Sequence, residues 1–112
     1  MSKRRRRLDE HVAPAPEVTG VARLLSETPV ATLDLHGYTV EQARRRVRDF
    51  LTIHATVARS EVVHIITGKG SRSEGQAVLL GLVREMLDAE LSEFVSESAG
   101  VPGGGGWVVR LR

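Results

Sequence analysis

The chain contains no cysteine. Disulfides and cysteine-based zinc sites are therefore excluded, which agrees with a reducing compartment. Aromatic residues are scarce, with one Trp, one Tyr and two Phe among 112 residues. No stacked aromatic platform can be read from so few, so base-specific recognition by stacking gains no support. No apolar run approaches the ~20 residues that a membrane-spanning helix needs. The N-terminus is basic but has no apolar stretch behind it, so no secretory signal is expected. These absences predict a cytoplasmic protein with no membrane partner.

An excess of one charge is also missing from most of the chain. Residues 29–112 carry ten Lys/Arg and ten Asp/Glu, whereas residues 1–28 carry six against four. The net charge of +2 therefore lies in the N-terminal segment, where Lys3 to Arg7 are all cationic. Such a block repels itself and is expected to stay disordered. It can bind an anionic surface such as nucleic acid, or serve only as a solubilising tail. Pro14 and Pro16 discourage regular structure, and Val21 to Leu25 fit a short helix. The sequence thus divides into a flexible basic extension, 1–28, and one domain, 29–112, with the boundary near Thr28–Pro29. The length suits a single domain with its own core.

The hydrophobic pattern of that domain alternates between two periods. Val30 to Leu35 reads as a first strand. Thr39 to about Ala58 reads as a helix, with Val40, Ala43, Val47, Phe50, Leu51 and Val57 on a helical stripe. Thr39 and Gln42 have capping-box spacing. Glu61 to Thr67 is a second strand, whose near-continuous β-branched run suits burial on both faces. Gly75 or Gln76 to about Glu90 is a second helix, and Ser73 with Gln76 is a candidate cap. Phe94–Val95 marks a short third strand, Pro102 to Gly106 a loop, and Trp107 to Leu111 a fourth strand with period-two alternation. The order is βαβαββ, an α/β fold of one sheet and one helical layer. Trp107 reads as a core anchor, and His64 as a residue in or beside the core.

A strand–helix–strand unit gives parallel strands with a right-handed crossover. The turns after the first two strands then share one edge of the sheet, where ligands of open α/β sheets bind. Those turns are Leu33-Asp34-Leu35-His36-Gly37 and Ile66-Thr67-Gly68-Lys69-Gly70. The Gly103–Gly106 hairpin is expected at the same edge. Asp34 and His36 are two apart, so in extended backbone they point to one side. A carboxylate there can fix the tautomer of the imidazole for acid–base work near neutral pH. A plainer reading has Asp34 capping the turn and His36 merely hydrogen-bonded at a strand end. Gly68 and Gly70 allow close backbone approach, and Lys69 with the loop N–H groups can hold a phosphate. The spacing is not that of a nucleotide P-loop, and an ordinary strand–helix turn is the rival reading. On the first helix, Glu41–Arg45 and Arg45–Asp49 are i,i+4 pairs that suit a charge-balanced face. Arg44 and Arg48 share another face and are candidates for backbone phosphates. The histidines show no metal-ligand spacing.

Taken together, Leu33 to Gly37, Thr67 to Gly70, Ser73, Gly75 and the Gly103–Gly106 run before an apolar strand resemble the Smr (small MutS-related) domain over about residues 30–112. Many members of that family have His where Thr67 stands. The resemblance implies a βαβαββ two-layer α/β sandwich, similar to the C-terminal domain of translation initiation factor three. It implies nucleic-acid binding and, in several members, endonuclease activity on DNA or RNA. By position it places Asp34 and His36 in the active site and Gly68, Lys69 and Gly70 in the phosphate-side loop.

The resulting expectation is a nucleic-acid-binding endonuclease acting on RNA or structured DNA. Asp34 and His36 would be catalytic; Gly37, Thr67, Gly68, Lys69, Gly70, Arg44 and Arg48 would contact the nucleic acid. No metal ligands are assigned, and a divalent ion on Asp34 stays an open alternative. The rival is a non-catalytic module that binds RNA or a ribonucleoprotein such as the ribosome.

Overall fold

The computed structural model describes residues 20–68 and 74–112. Lys3 to Arg7, Lys69, Gly70 and the candidate cap Ser73 lie outside the described residues. The elements are α1 (Gly20–Ser26), β1 (Ala31–Asp34), α2 (Val40–Val57), β2 (Val62–Ile66), α3 (Glu74–Asp88), a 3₁₀ turn (Ser92–Phe94), β3 (Val95–Gly100) and β4 (Gly106–Leu111). The βαβαββ order is thus present, preceded by α1.

The four strands form one sheet in the order β1-β2-β4-β3. β1 and β2 are parallel, with Leu33 opposite Ile65 and Asp34 opposite Ile66. β4 lies antiparallel to both β2 and β3, with Ile66 opposite Gly106. β3 therefore runs in the same direction as β1 and β2. Its hairpin to β4 emerges at the carboxyl edge of the parallel pair, where the sequence places it.

Helix α2 begins where local chemistry dictates. The Thr39 hydroxyl accepts from the Gln42 amide N–H at 3.1 Å, and the Gln42 side chain accepts from the Thr39 N–H at 3.0 Å. That reciprocal box satisfies two of the helix's otherwise unpaired donors. Its buried stripe is Ala43, Val47 and Leu51. Together with Leu79, Val83, Met86 and Leu87 of α3, it covers Leu33, Leu35, Val63, Ile65, Val109 and Leu111 of the sheet. Trp107 is half-buried against this core, and its indole N–H donates to Leu80 O at 3.0 Å.

The opposite face has a smaller cover. Leu24 of α1 packs with Val62, Ala99 and Val108, so β2 is buried on both sides. Arg110 clips the helix in place: it bonds Glu97 Oε2 at 2.9 Å and Ser60 O at 2.9 Å, and pairs with Glu27 just beyond α1. Helix α1 thus packs on the sheet through Leu24. β3 is longer than its apolar residues indicate, because it is an edge strand whose Ser96 stays exposed while Glu97 pairs with Arg110.

The glycine run has a steric cause. A Cβ on Gly106 would stand 2.2 Å from Ile65 O and 3.0 Å from Ile66 Cα. Only a residue without a side chain lets β4 close on β2. Gly103 and Gly104 have φ of +94° and +79°, which other L-residues adopt only with strain. Gly106→Ala is expected to lower stability by roughly 3 kcal/mol or more, since the clash is with backbone that cannot rotate away. Thermal unfolding checks this, with a fall in Tm of the order of 10 °C for a domain this size. An unchanged Tm contradicts the packing described.

Candidate active site at the carboxyl edge

Three connections meet at one edge of the sheet. The Leu35 N–H donates to Ile66 O at 2.7 Å, which carries the parallel ladder one step past Asp34. The Thr67 N–H donates to Gly105 O at 2.9 Å, and the Gly68 N–H leans on the same oxygen at 3.4 Å. The loops after β1 and β2 and the glycine hairpin are thus adjacent, neighbouring strands being about 4.8 Å apart.

The chain leaves β1 through a tight turn. Tyr38 N–H donates to Leu35 O at 3.0 Å, and Gly37 at the third position has a φ of +81°. A turn of that shape needs glycine there. His36 occupies the second position. Its main-chain N–H donates to Asp34 Oδ1 at 3.0 Å, and its ring Nδ1 lies 2.8 Å from the same oxygen. Asp34 therefore does both things read from the sequence: it caps the turn and it holds the imidazole.

Those contacts set the protonation pattern of the pair. The main-chain N–H of His36 first, and its ring second, hold the Asp34 carboxyl below the usual aspartate range against a small opposing effect of burial. Ionised Asp34 can only accept, so Nδ1 carries the proton. Nε2 is then the nitrogen free to exchange protons. The side chains are 71% exposed for His36 and 49% for Asp34, so a ligand can reach the ring.

Other candidates take different roles. Thr67 follows directly on β2 and is fully buried. Its hydroxyl has no hydrogen-bond partner among the described residues. Its amide and that of Gly68 already face Gly105 O, so these two N–H groups brace the hairpin. Arg44 and Arg48 both bind Glu90, at 3.2 and 2.8 Å, just past the end of α3 remote from this edge. They tie α2 to that end of α3. Arg45 forms no ion pair with Glu41, Asp49 or any other described residue. With Arg46, Tyr38 and Gln42 it lines a concavity beside the His36 turn, a grouping that the i,i+4 reading of Arg45 concealed. Among the described residues no three His, Asp or Glu side chains cluster as they would around a metal ion.

This fold and edge define a small α/β domain of a recognised class. The Smr domain profile matches residues 33–112. The Smr domain of Thermus thermophilus MutS2 superposes with a TM-score of 0.60 at 31% identity, covering 74% of this chain and 99% of that one. An uncharacterised protein of Treponema pallidum (strain Nichols) is 36% identical over 70 residues, which are 62% of this chain and 34% of that protein. The chain thus spans about a third of that relative's length. It belongs to the Smr domain family, a family associated with nucleic-acid binding and nuclease activity. No helix among the described residues is long and apolar enough to cross a membrane.

A carboxyl carbon NMR titration tests the Asp34–His36 couple. A depressed native pKa means stability that is present above the unfolded pKa and is lost as pH falls through the folded one. The Asp34 midpoint is expected below that of an unstructured aspartate. In His36→Ala it should rise only part of the way, because the main-chain bond at residue 36 survives. A midpoint at the ordinary value in the wild type contradicts the geometry.

Proposed function

We propose that this chain is a nucleic-acid-binding endonuclease that cuts RNA, with His36 as its acid–base residue. The observation that carries this reading is the exposed His36 ring held through Nδ1 by ionised Asp34, at the sheet edge where the loops converge. Membership of a family associated with nuclease activity supports it. RNA is the substrate because it brings its own nucleophile. Nε2 takes the proton of the 2′-hydroxyl, the 2′-oxygen attacks the adjacent phosphorus, and the bond to the 5′-oxygen breaks. The products are a 2′,3′-cyclic phosphate and a 5′-hydroxyl; the 5′-oxygen takes its proton from water, and Nε2 releases the proton it took to solvent, so the charge and atoms balance. Asp34 orients the ring and stabilises its cationic form during transfer, as a positioning residue.

Lys69 is assigned the phosphate contact by its place in the second loop. The fixed Nδ1–H tautomer gives His36 a single reactive nitrogen, which suits one proton transfer per step. Two-metal cleavage needs a set of ligands around ions ~4 Å apart, whereas the 2′-hydroxyl route requires no ion to supply the nucleophile. A cytoplasmic setting fits this substrate and the cysteine-free composition.

The test compares wild type, His36→Ala and Lys69→Ala on matched structured RNA and DNA, reading cleavage and binding separately. His36→Ala should cut at least about 100-fold more slowly while retaining most of its binding, since acid–base help acts in the transition state. Lys69→Ala should weaken both. Cleavage by His36→Ala at the wild-type rate would falsify the assignment. Binding without cleavage by every variant, wild type included, would establish the non-catalytic reading instead.

A further inference from the structure

We propose that Tyr38, Gln42, Arg45 and Arg46 form a subsite for an unpaired nucleotide next to the bond that is cut, with its base laid on the Arg46–Tyr38 stack. The inference rests on the nucleic-acid reading above and adds to it a substrate form: single-stranded at this position.

The four residues line a concavity of about 370 Å³. They fall on one flank of α2 and the turn before it, because positions 42, 45 and 46 follow helical spacing. Arg44 and Arg48 lie on the other flank, where they share the single carboxylate of Glu90. Arg45 and Arg46 have no carboxylate partner among the described residues, so this flank presents two uncompensated cations. The Arg46 guanidinium carbon stands 5.8 Å from the centroid of the Tyr38 ring, within cation–π range. Tyr38 is half-buried and packs on the core, which fixes the ring beneath the guanidinium. Gln42 gives its side-chain oxygen to the Thr39 N–H, so its NH₂ remains as a donor.

Position supplies the link to the chemistry. His36 and Tyr38 belong to one four-residue turn, closed by Tyr38 N–H to Leu35 O. Their Cα atoms are at most about 7 Å apart. A phosphodiester at His36 thus has its neighbouring nucleotide within reach of the concavity. Unpaired bases stack on aromatic rings and on guanidinium planes, and a duplex hides the base faces that such a stack needs. Arg45, with the Gln42 amide beside it, meets the phosphate, and Arg46 with Tyr38 meets the base. The scarcity of aromatics in the sequence conceals this arrangement, since one ring suffices once an arginine eight positions on folds over it.

The experiment measures a ratio that isolates the base contact. The full chain carrying His36→Ala, so that the strand stays intact, is titrated with a labelled single-stranded RNA and with a fully abasic strand of equal length. Phosphate contacts are common to both probes and cancel. The intact strand should bind roughly 5- to 150-fold more tightly than the abasic one, the range for a stacked base. Adding Arg46→Gln or Tyr38→Ala should bring the ratio close to one, while Tyr38→Phe should preserve it. Arg45→Gln should weaken both probes alike. Arg46 is exposed, so its variant keeps the test valid if Tyr38→Ala unfolds. A ratio unchanged by Arg46→Gln, or an intact strand that binds no more tightly than the abasic one, overturns the subsite and leaves the nucleic-acid reading standing. Failure of the wild-type chain to bind any nucleic acid overturns that reading first.

Discussion

The main-chain bond from Leu35 N–H to Ile66 O sits at the point where β1 and β2 stop being strands. Parallel pairing forces their carboxyl ends to one edge, and this bond holds them in step past the last registered residues. Asp34 and His36 then leave the sheet directly beside Thr67 and Gly68. The same edge receives the glycine hairpin, because β4 returns antiparallel between β2 and β3. Gly106 makes that return possible by letting β4 approach Ile65 O without a side chain in the way.

The sheet also sorts its residues by parity. Leu33, Leu35, Val63 and Ile65 face the helices and form the core. Asp34 points the other way, as does His36, which its bond to Asp34 Oδ1 keeps on that side. The polar couple is thus built on a strand whose alternate residues anchor it in the core. Thr67 is buried, and its amide supports the hairpin. At this edge the β1 turn presents the titratable pair, and the Thr67 and Gly68 amides brace the hairpin through Gly105 O.

Much of this was legible in the chain. The capping box at Thr39 and Gln42 depends on residues three apart. The stripe of Ala43, Val47 and Leu51 and the alternation around Leu33 likewise follow from spacing alone. The convergence of the two turns follows from the parallel pairing that a strand–helix–strand unit imposes. What escaped the sequence depends on partners far along the chain. Arg44 and Arg48 meet Glu90, more than forty positions away, and Arg45 forms no ion pair with Glu41 or Asp49, the helical neighbours that i,i+4 counting assigns to it. The extent of β3 was hidden because an edge strand can be polar, and its Glu97 is matched by Arg110 across the pair. The packing of α1 was hidden because Leu24 meets its partners only once the sheet exists.

The proposed cleavage of RNA by His36 through the substrate's own 2′-hydroxyl depends on one oxygen atom. The direct measurement is cleavage of an RNA and of the same RNA bearing a single 2′-deoxy nucleotide at the cut site, both with chelator present. The all-ribose strand is expected to be cut and the substituted one to stay whole at that position. Equal cutting of the two strands, or loss of all cutting when chelator is added, would contradict it.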